Sequence, residues 1–259
     1  MRPFWRLFRA IVSTTAHCLH LIATLPGKPP AERARYRALK QQVGCRAICR
    51  ALHTEVRLIG DPPTRQGMLA VCNHVGLLDT VAIASVLPVT FVSKAEVEHW
   101  PYIGWVTRLV GVIFVERERK MQTGLLVERV QNRLTDHVDV LVFPEGTTGY
   151  NEGVRPFKTG SFAAVAGLED AAVLPLCLKG VSVNGRSEPA FLRQVLTWTG
   201  ETTMFKHARQ LLKARRIVIE LHIGTPIDTR DRDRKELAQL AQEAVEALGG
   251  WRVEAGPPG

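Results

Sequence analysis

The sequence predicts an α/β protein: a mixed, largely parallel sheet flanked by helices, with a basic N-terminal helix pair ahead of it. Three observations carry that reading. From His53 onward, short apolar runs rich in β-branched residues alternate with helix-like runs. The 259 residues are 46% hydrophobic and 23% charged, which suits one sizeable core with an appendage. The formal charge of +9 is unevenly placed. Residues 1–60 hold 11 Lys/Arg against 2 Asp/Glu, whereas residues 61–259 hold 23 of each, so the whole excess lies in the N-terminal segment.

That segment opens with Phe4, Trp5, Leu7 and Phe8 among three arginines, and Leu7, Phe8, Ile11, Val12, Thr15, Cys18, Leu19 and Ile22 recur at helical spacing. No formal charge falls between Ala10 and Leu25. Sixteen helical residues reach about 24 Å, short of the roughly 30 Å of a bilayer's hydrocarbon core. A helix lying in the interface fits better than a spanning one, with Arg2, Arg6 and Arg9 reaching headgroups. A soluble amphipathic helix packed on the main domain stays open as an alternative. A signal peptide is disfavoured by the polar apolar-region and the missing small-residue cleavage site. Pro26, Gly27, Pro29 and Pro30 separate this helix from a second basic one, so residues 1–53 read as a membrane-docking helix pair and 54–259 as the α/β domain.

A basic segment beside an apolar one points to an anionic membrane surface, although a solvated helix face would look similar. Basic stretches interleaved with stacking aromatics are not seen, which argues against nucleic acid. Five scattered cysteines without a C-x-x-C pair argue against a disulfide framework or a zinc site. Together these predict a peripheral or monotopic protein on the cytoplasmic face of the cell membrane.

In the α/β domain, EVRLIG, MLAVC, VTFVS, VIFVE, VDVLVF, AVLPLCL and RIVIELHIG read as strands. TVAIASVL, YIGWVTRLVG, TGLLVERVQNRLTDH and GSFAAVAGLED read as helices between them. A last helix closes the chain, with Asp228 or Thr229 to cap its start and Gly249 its end. NHVGLLD then follows one strand, a Glu-Arg run a second and FPEGTTG a third. Chemistry in open α/β sheets collects beyond the carboxyl ends of strands, where one pocket could gather all three.

Within NHVGLLD, His74 and Asp79 are five residues apart. A core histidine beside a helix-capping aspartate would give the same spacing. The functional alternative has a mechanism: imidazole accepts a proton from an alcohol, and a carboxylate on its other nitrogen fixes the tautomer and stabilises the imidazolium. Asn73 can hold the turn by local hydrogen bonds. FPEGTTG could be an ordinary turn, or a backbone nest with Glu145 suited to a polar headgroup. Arg155 and Lys158, in VRPFKTGSF, precede an expected helix start and form a plausible anion site.

The ordered set NHVGLLD, SKAEVEHWPYIGWVTRLVGVIFVER, VFPEGTT with RPFKTG, and VLPLCLKG resembles the glycerolipid acyltransferase family over about residues 55–180. The helix pair also looks like the membrane-docking element of bacterial members. The resemblance implies an O-acyltransferase moving a fatty acyl group from acyl-CoA or acyl carrier protein to a lysolipid acceptor, foremost 1-acylglycerol-3-phosphate, with lyso-ornithine lipid or another lysolipid as the alternative. It implies no metal and no cofactor. His74 would be the general base and Asp79 its orienting partner. Lys94, Pro101, Gly104, Gly111 and Phe114 match a second block ending at Arg117, an acceptor contact. Glu145, Gly146 and Thr147 match a third block, also an acceptor site, and Pro175 a fourth. Thr148 stands where the family usually has the arginine implicated in holding the acceptor phosphate; Arg155 or Lys158 could substitute. Gly76 and Leu77 also depart from the first block's usual residues. The stretch Trp100 to Trp105 is a candidate wall for the acyl chain, or ordinary core. Two readings of another kind remain: a thioesterase or other hydrolase using the same pair with water, and a non-catalytic membrane-binding protein.

Overall fold

The computed structural model describes residues 3–116, 123–149, 153–198 and 203–251. Helix α1 (Pro3–Thr24) leads through a proline-rich bend into α2 (Arg33–Ala51). Strands β1 (Thr54–Ile59) and β2 (Leu69–Cys72) follow, then α3 (Leu78–Val86), β3 (Val89–Lys94), α4 (Ile103–Val110), β4 (Ile113–Val115), α5 (Thr123–Thr135) and β5 (Asp139–Val142). The long β6 (Ala172–Val183) precedes two helices, α6 (Pro189–Leu196) and α7 (Met204–Lys213). Strands β7 (Ile217–Ile223) and β8 (Ile227–Asp228) and helix α8 (Arg234–Gly249) close the fold.

The strands form one sheet in the order β1-β7-β6-β2-β5-β3-β4, with β8 beside β6. From β6 to β4 all neighbours run parallel; β7 turns antiparallel to β6, and β1 lies parallel to β7. Side chains alternate between two buried layers, as a strand's period of two requires. Met68, Ala70 and Cys72 join Ile83 of α3, Leu192 of α6 and Leu211 of α7 on one face. Leu69 and Val71 join Val130 of α5, Phe162 and Leu237 of α8 on the other. Burial on both faces is why these strands read as unbroken apolar runs.

Helix α2 closes part of the first layer. Its Cys45 is in that core, and Arg46, Gln42 and Gln41 donate to the carbonyls of Ser85, Val86 and Val89, at 2.7, 2.8 and 2.7 Å. The first two are orphan carbonyls at the end of α3, which need such partners when buried.

Helix α1 turns Cys18 and Leu21 inward and leaves Phe4, Trp5, Phe8, Ile11, Val12, Leu19 and Ile22 exposed. Arg6 does not reach outward with these. Its guanidinium is buried and donates to the carbonyls of Leu212 and Ala214 at the end of α7, with His53 Nδ1 2.9 Å away. A cation on the carbonyl end of a helix satisfies both its free acceptors and its dipole, so Arg6 is drawn inward rather than to headgroups. Among the described residues, no helix is long and apolar enough to cross a membrane.

Three local expectations are corrected. The GSFAAVAGLED stretch forms only a four-residue 3-10 turn, Ser161–Ala164, because Phe162 plugs the second core layer and Gly167 gives its N–H to the Thr229 and Arg232 carbonyls. The last helix is capped by Asp233, whose side chain accepts from the N–H groups of Lys235 and Glu236; Asp228 belongs to β8, and Thr229 donates to the Leu168 carbonyl. Its far end is capped by Gly250, one residue past Gly249. Helices α6 and α7 are additions to the sequence-based layout.

Candidate active site

Strands β2, β5, β3 and β4 lie side by side and parallel, so their carboxyl ends share one edge. That edge receives NHVGLLD, FPEGTTG, Lys94 and Glu116. It is the edge where loops are free to gather functional groups.

The turn between β2 and α3 is built around one oxygen. Asp79 Oδ2 accepts from His74 Nδ1 at 2.7 Å, from the Val75 N–H at 2.6 Å and from the Gly76 N–H at 2.9 Å. The last two are free donors ahead of α3, so the aspartate caps the turn that carries the histidine and orients the imidazole at once. Asp79 is buried, whereas the His74 side chain is 23% exposed. With Nδ1–H donated, Nε2 keeps its lone pair and is the ring nitrogen left to accept a proton. Phe143 stacks on the ring at 4.1 Å between centroids and 14° between planes, fixing its tilt.

The backbone of His74 is gripped as firmly. Its N–H donates to Glu145 Oε1 at 2.7 Å, and its carbonyl accepts from the Gly149 N–H at 2.6 Å. Glu145 Oε2 accepts from the Arg155 N–H at 2.9 Å. Burial raises the Glu145 carboxyl above its ordinary range, and these two N–H bonds pull the other way. Glu145 thus braces together the β2 turn, the β5 loop and the segment at Arg155. Asn73 likewise does not act locally. Its amide exchanges two bonds with the backbone of Leu178 in β6, Nδ2 to O at 3.0 Å and N to Oδ1 at 2.8 Å. At the strand's end it continues the β2–β6 ladder with a side chain.

Around this centre the other candidates divide. Gly146, at φ +73°, makes the turn after Glu145, and a Cβ there would lie 2.7 Å from Lys158 Nζ, so Lys158 arches over it. Thr147 is exposed beside them. Thr148 turns away: its hydroxyl donates to the Trp198 carbonyl. Lys94 is exposed at the end of β3, two strands from His74. Arg117 lies outside the described residues. Arg155 and Lys158 are both exposed, and no α-helix starts behind them to add its dipole.

Residues from the α6–α7 connection complete the site, and nothing in their sequence announces them. The Trp198 N–H donates to the Val75 carbonyl at 3.0 Å. A Cβ on Gly76 would collide with the Leu196 carbonyl oxygen and lie 3.2 Å from His207 Nε2. His207 is fully buried, and burial lowers its pKa while Asp79 and the Gln210 side chain oppose the shift. The glycine at 76 was the available signal: it marks a close approach by another element.

An imidazole oriented through Nδ1 by a buried carboxylate, on the carboxyl edge of a parallel sheet, is an arrangement that can take a proton from an attacking hydroxyl. Comparison with known proteins supplies the group that is moved. Residues 53–179 match the family described as Acyltransferase. The chain is 31% identical over 210 residues to the lyso-ornithine lipid O-acyltransferase of Brucella abortus (strain 2308), covering 78% of this chain and 79% of that one. It is 30% identical over 125 residues to the 1-acyl-sn-glycerol-3-phosphate acyltransferase of Neisseria gonorrhoeae, covering 48% and 49%. The crystal structure of the 1-acyl-sn-glycerophosphate acyltransferase PlsC from Thermotoga maritima has the same fold, with a TM-score of 0.67 at 20% identity over 98% of this chain and 96% of that one. This chain belongs to the acyltransferase family.

Proposed function

We propose that the protein transfers a fatty acyl group from a thioester, acyl-CoA or acyl carrier protein, to the hydroxyl of a lysolipid held at a membrane surface. The observation that carries this is His74, oriented through Nδ1 by Asp79, with its side chain 23% exposed. The acceptor O–H gives its proton to Nε2 as its oxygen attacks the thioester carbonyl. The C–S bond then breaks, and the departing thiolate takes the proton from the imidazolium, so the base is restored without an acyl-enzyme. Lys94, Gly146, Thr147 and Lys158 border the acceptor side in this reading, and the α1–α2 pair docks on the cytoplasmic face of the membrane.

For the acceptor, the reading favoured is lyso-ornithine lipid. Thr148 is engaged by Trp198 and offers no cation, and the relative of that name aligns over most of both chains. An ornithine headgroup carries a carboxylate and an amine in place of a phosphate. Lysophosphatidic acid is the second reading, favoured by the two exposed cations Arg155 and Lys158 beside the Glu145 loop. The test is a transfer assay with labelled acyl-CoA, then acyl-loaded carrier protein, across lyso-ornithine lipid, lysophosphatidic acid and other lysophospholipids, with His74→Ala alongside. Transfer to lyso-ornithine lipid, lost in the variant, is the expected result. Transfer to lysophosphatidic acid alone moves the substrate and keeps the mechanism. Fatty acid release independent of any lysolipid would indicate a hydrolase and overturn the proposal.

A further inference from the structure

We infer that α7 is a second lipid-contacting element, which binds anionic phospholipid headgroups beside the catalytic turn. Its outward face has both parts such a surface needs. Phe205, in its first turn, is 78% exposed, more than Phe4 at 67% and every other large hydrophobic residue described. Lys206, Arg209 and Lys213 are exposed with it, and among the described residues none of the three is in an ion pair. Residues 203–216 hold five Lys/Arg and no Asp/Glu. The zero net charge of residues 61–259 hides this local excess. An exposed aromatic ringed by unpaired cations complements an anionic headgroup layer above an apolar interior.

Position supports the same occupant. The end of α7 is seated on α1: Arg6 donates to the carbonyls of Leu212 and Ala214, and Phe4, Trp5 and Phe8 flank Arg6 on the exposed side. The start of α7 is seated on the active site, where His207 lies against Gly76. The helix therefore runs from the docking helix to the turn that carries His74, along the path a lysolipid takes from bilayer to base. The inference rests on the lysolipid reading proposed above and adds a lipid contact separate from that of α1.

The experiment is co-sedimentation of the full chain with vesicles of phosphatidylcholine, with and without an equal part of phosphatidylglycerol. Three variants are compared: Phe205→Ser, the triple Lys206→Gln/Arg209→Gln/Lys213→Gln, and Trp5→Ser/Phe8→Ser in α1. All alter exposed side chains, and an unchanged unfolding midpoint checks each fold. The α7 triple should weaken binding to the anionic vesicles by about fivefold per charge removed and reduce its salt dependence. Phe205→Ser should weaken binding to both vesicle types several-fold. If both α7 variants bind as wild type while the α1 variant does not, α7 contact is overturned and α1 docking stands. If α7 matters and α1 does not, the reverse holds. If the α7 variants leave vesicle binding untouched but raise KM for acyl carrier protein, the surface takes that acidic protein and the lipid inference falls.

Discussion

At His74 and Asp79, a single carboxylate oxygen serves three donors, so a substitution there has separable effects on chemistry and on fold. His74→Ala removes the proposed base but none of the turn's backbone bonds. Transfer is expected to fall by about 10²–10⁴-fold with little change in unfolding midpoint, since general-base catalysis is of that size. Single-turnover rates beside a thermal melt check this, and a variant that retained the wild-type rate would remove His74 from the mechanism. Glu145→Gln behaves oppositely. Its amide presents N–H to one of two backbone N–H groups, leaving a buried donor unmatched, at about 1–3 kcal/mol. A denaturant midpoint lowered by that amount, with activity reduced alongside, is the expected outcome. Asp139 gives a pH dependence. Burial raises its pKa from 3.8 to about 6, even though the Met68 N–H donates to it at 2.8 Å. A carboxyl raised on folding favours the protonated native state. Its contribution is present below the unfolded pKa and lost as pH rises through about 6, at most about 3 kcal/mol. Unfolding free energies measured from pH 4 to pH 7 should fall less in Asp139→Asn than in wild type.

On the scale of elements, the catalytic turn is a junction of β2, α3, the β5 loop and the α6–α7 connection. Gly76 is its tightest point. Gly76→Ala should cost about 1–3 kcal/mol through overpacking against the Leu196 carbonyl, and should displace Trp198 from the Val75 carbonyl. Tryptophan fluorescence and a melt would report both. What was legible here follows from range. The central strands β2, β5 and β6 were legible because burial on both faces makes each a contiguous apolar run, and the edge strand β1 because it alternates. His74 and Asp79 were legible because their partnership closes within five residues. Asn73, Thr148 and His207 were not: Leu178, Trp198 and Gly76, their neighbours, are 50 to 131 positions away, and no local period encodes such a meeting. Helix α7 escaped for a related reason. It is only ten residues long and buries just His207 and Leu211 of its own, too short a seam for a period to declare.

For the molecule as a whole, α1 is a structural member of the fold as well as the proposed surface for lipid. Arg6 satisfies carbonyls at the end of α7, and α7 in turn packs His207 against the turn that carries the base. A protein whose first helix were only an anchor would tolerate its loss once lipid is supplied in detergent. This one should not. Deleting residues 1–25 is expected to lower the melting temperature by several degrees and to abolish transfer even to micellar substrate, whereas an anchor-only helix would leave detergent activity intact. The greasy segment that invites trimming for the sake of solubility is thus a strut of the catalytic architecture.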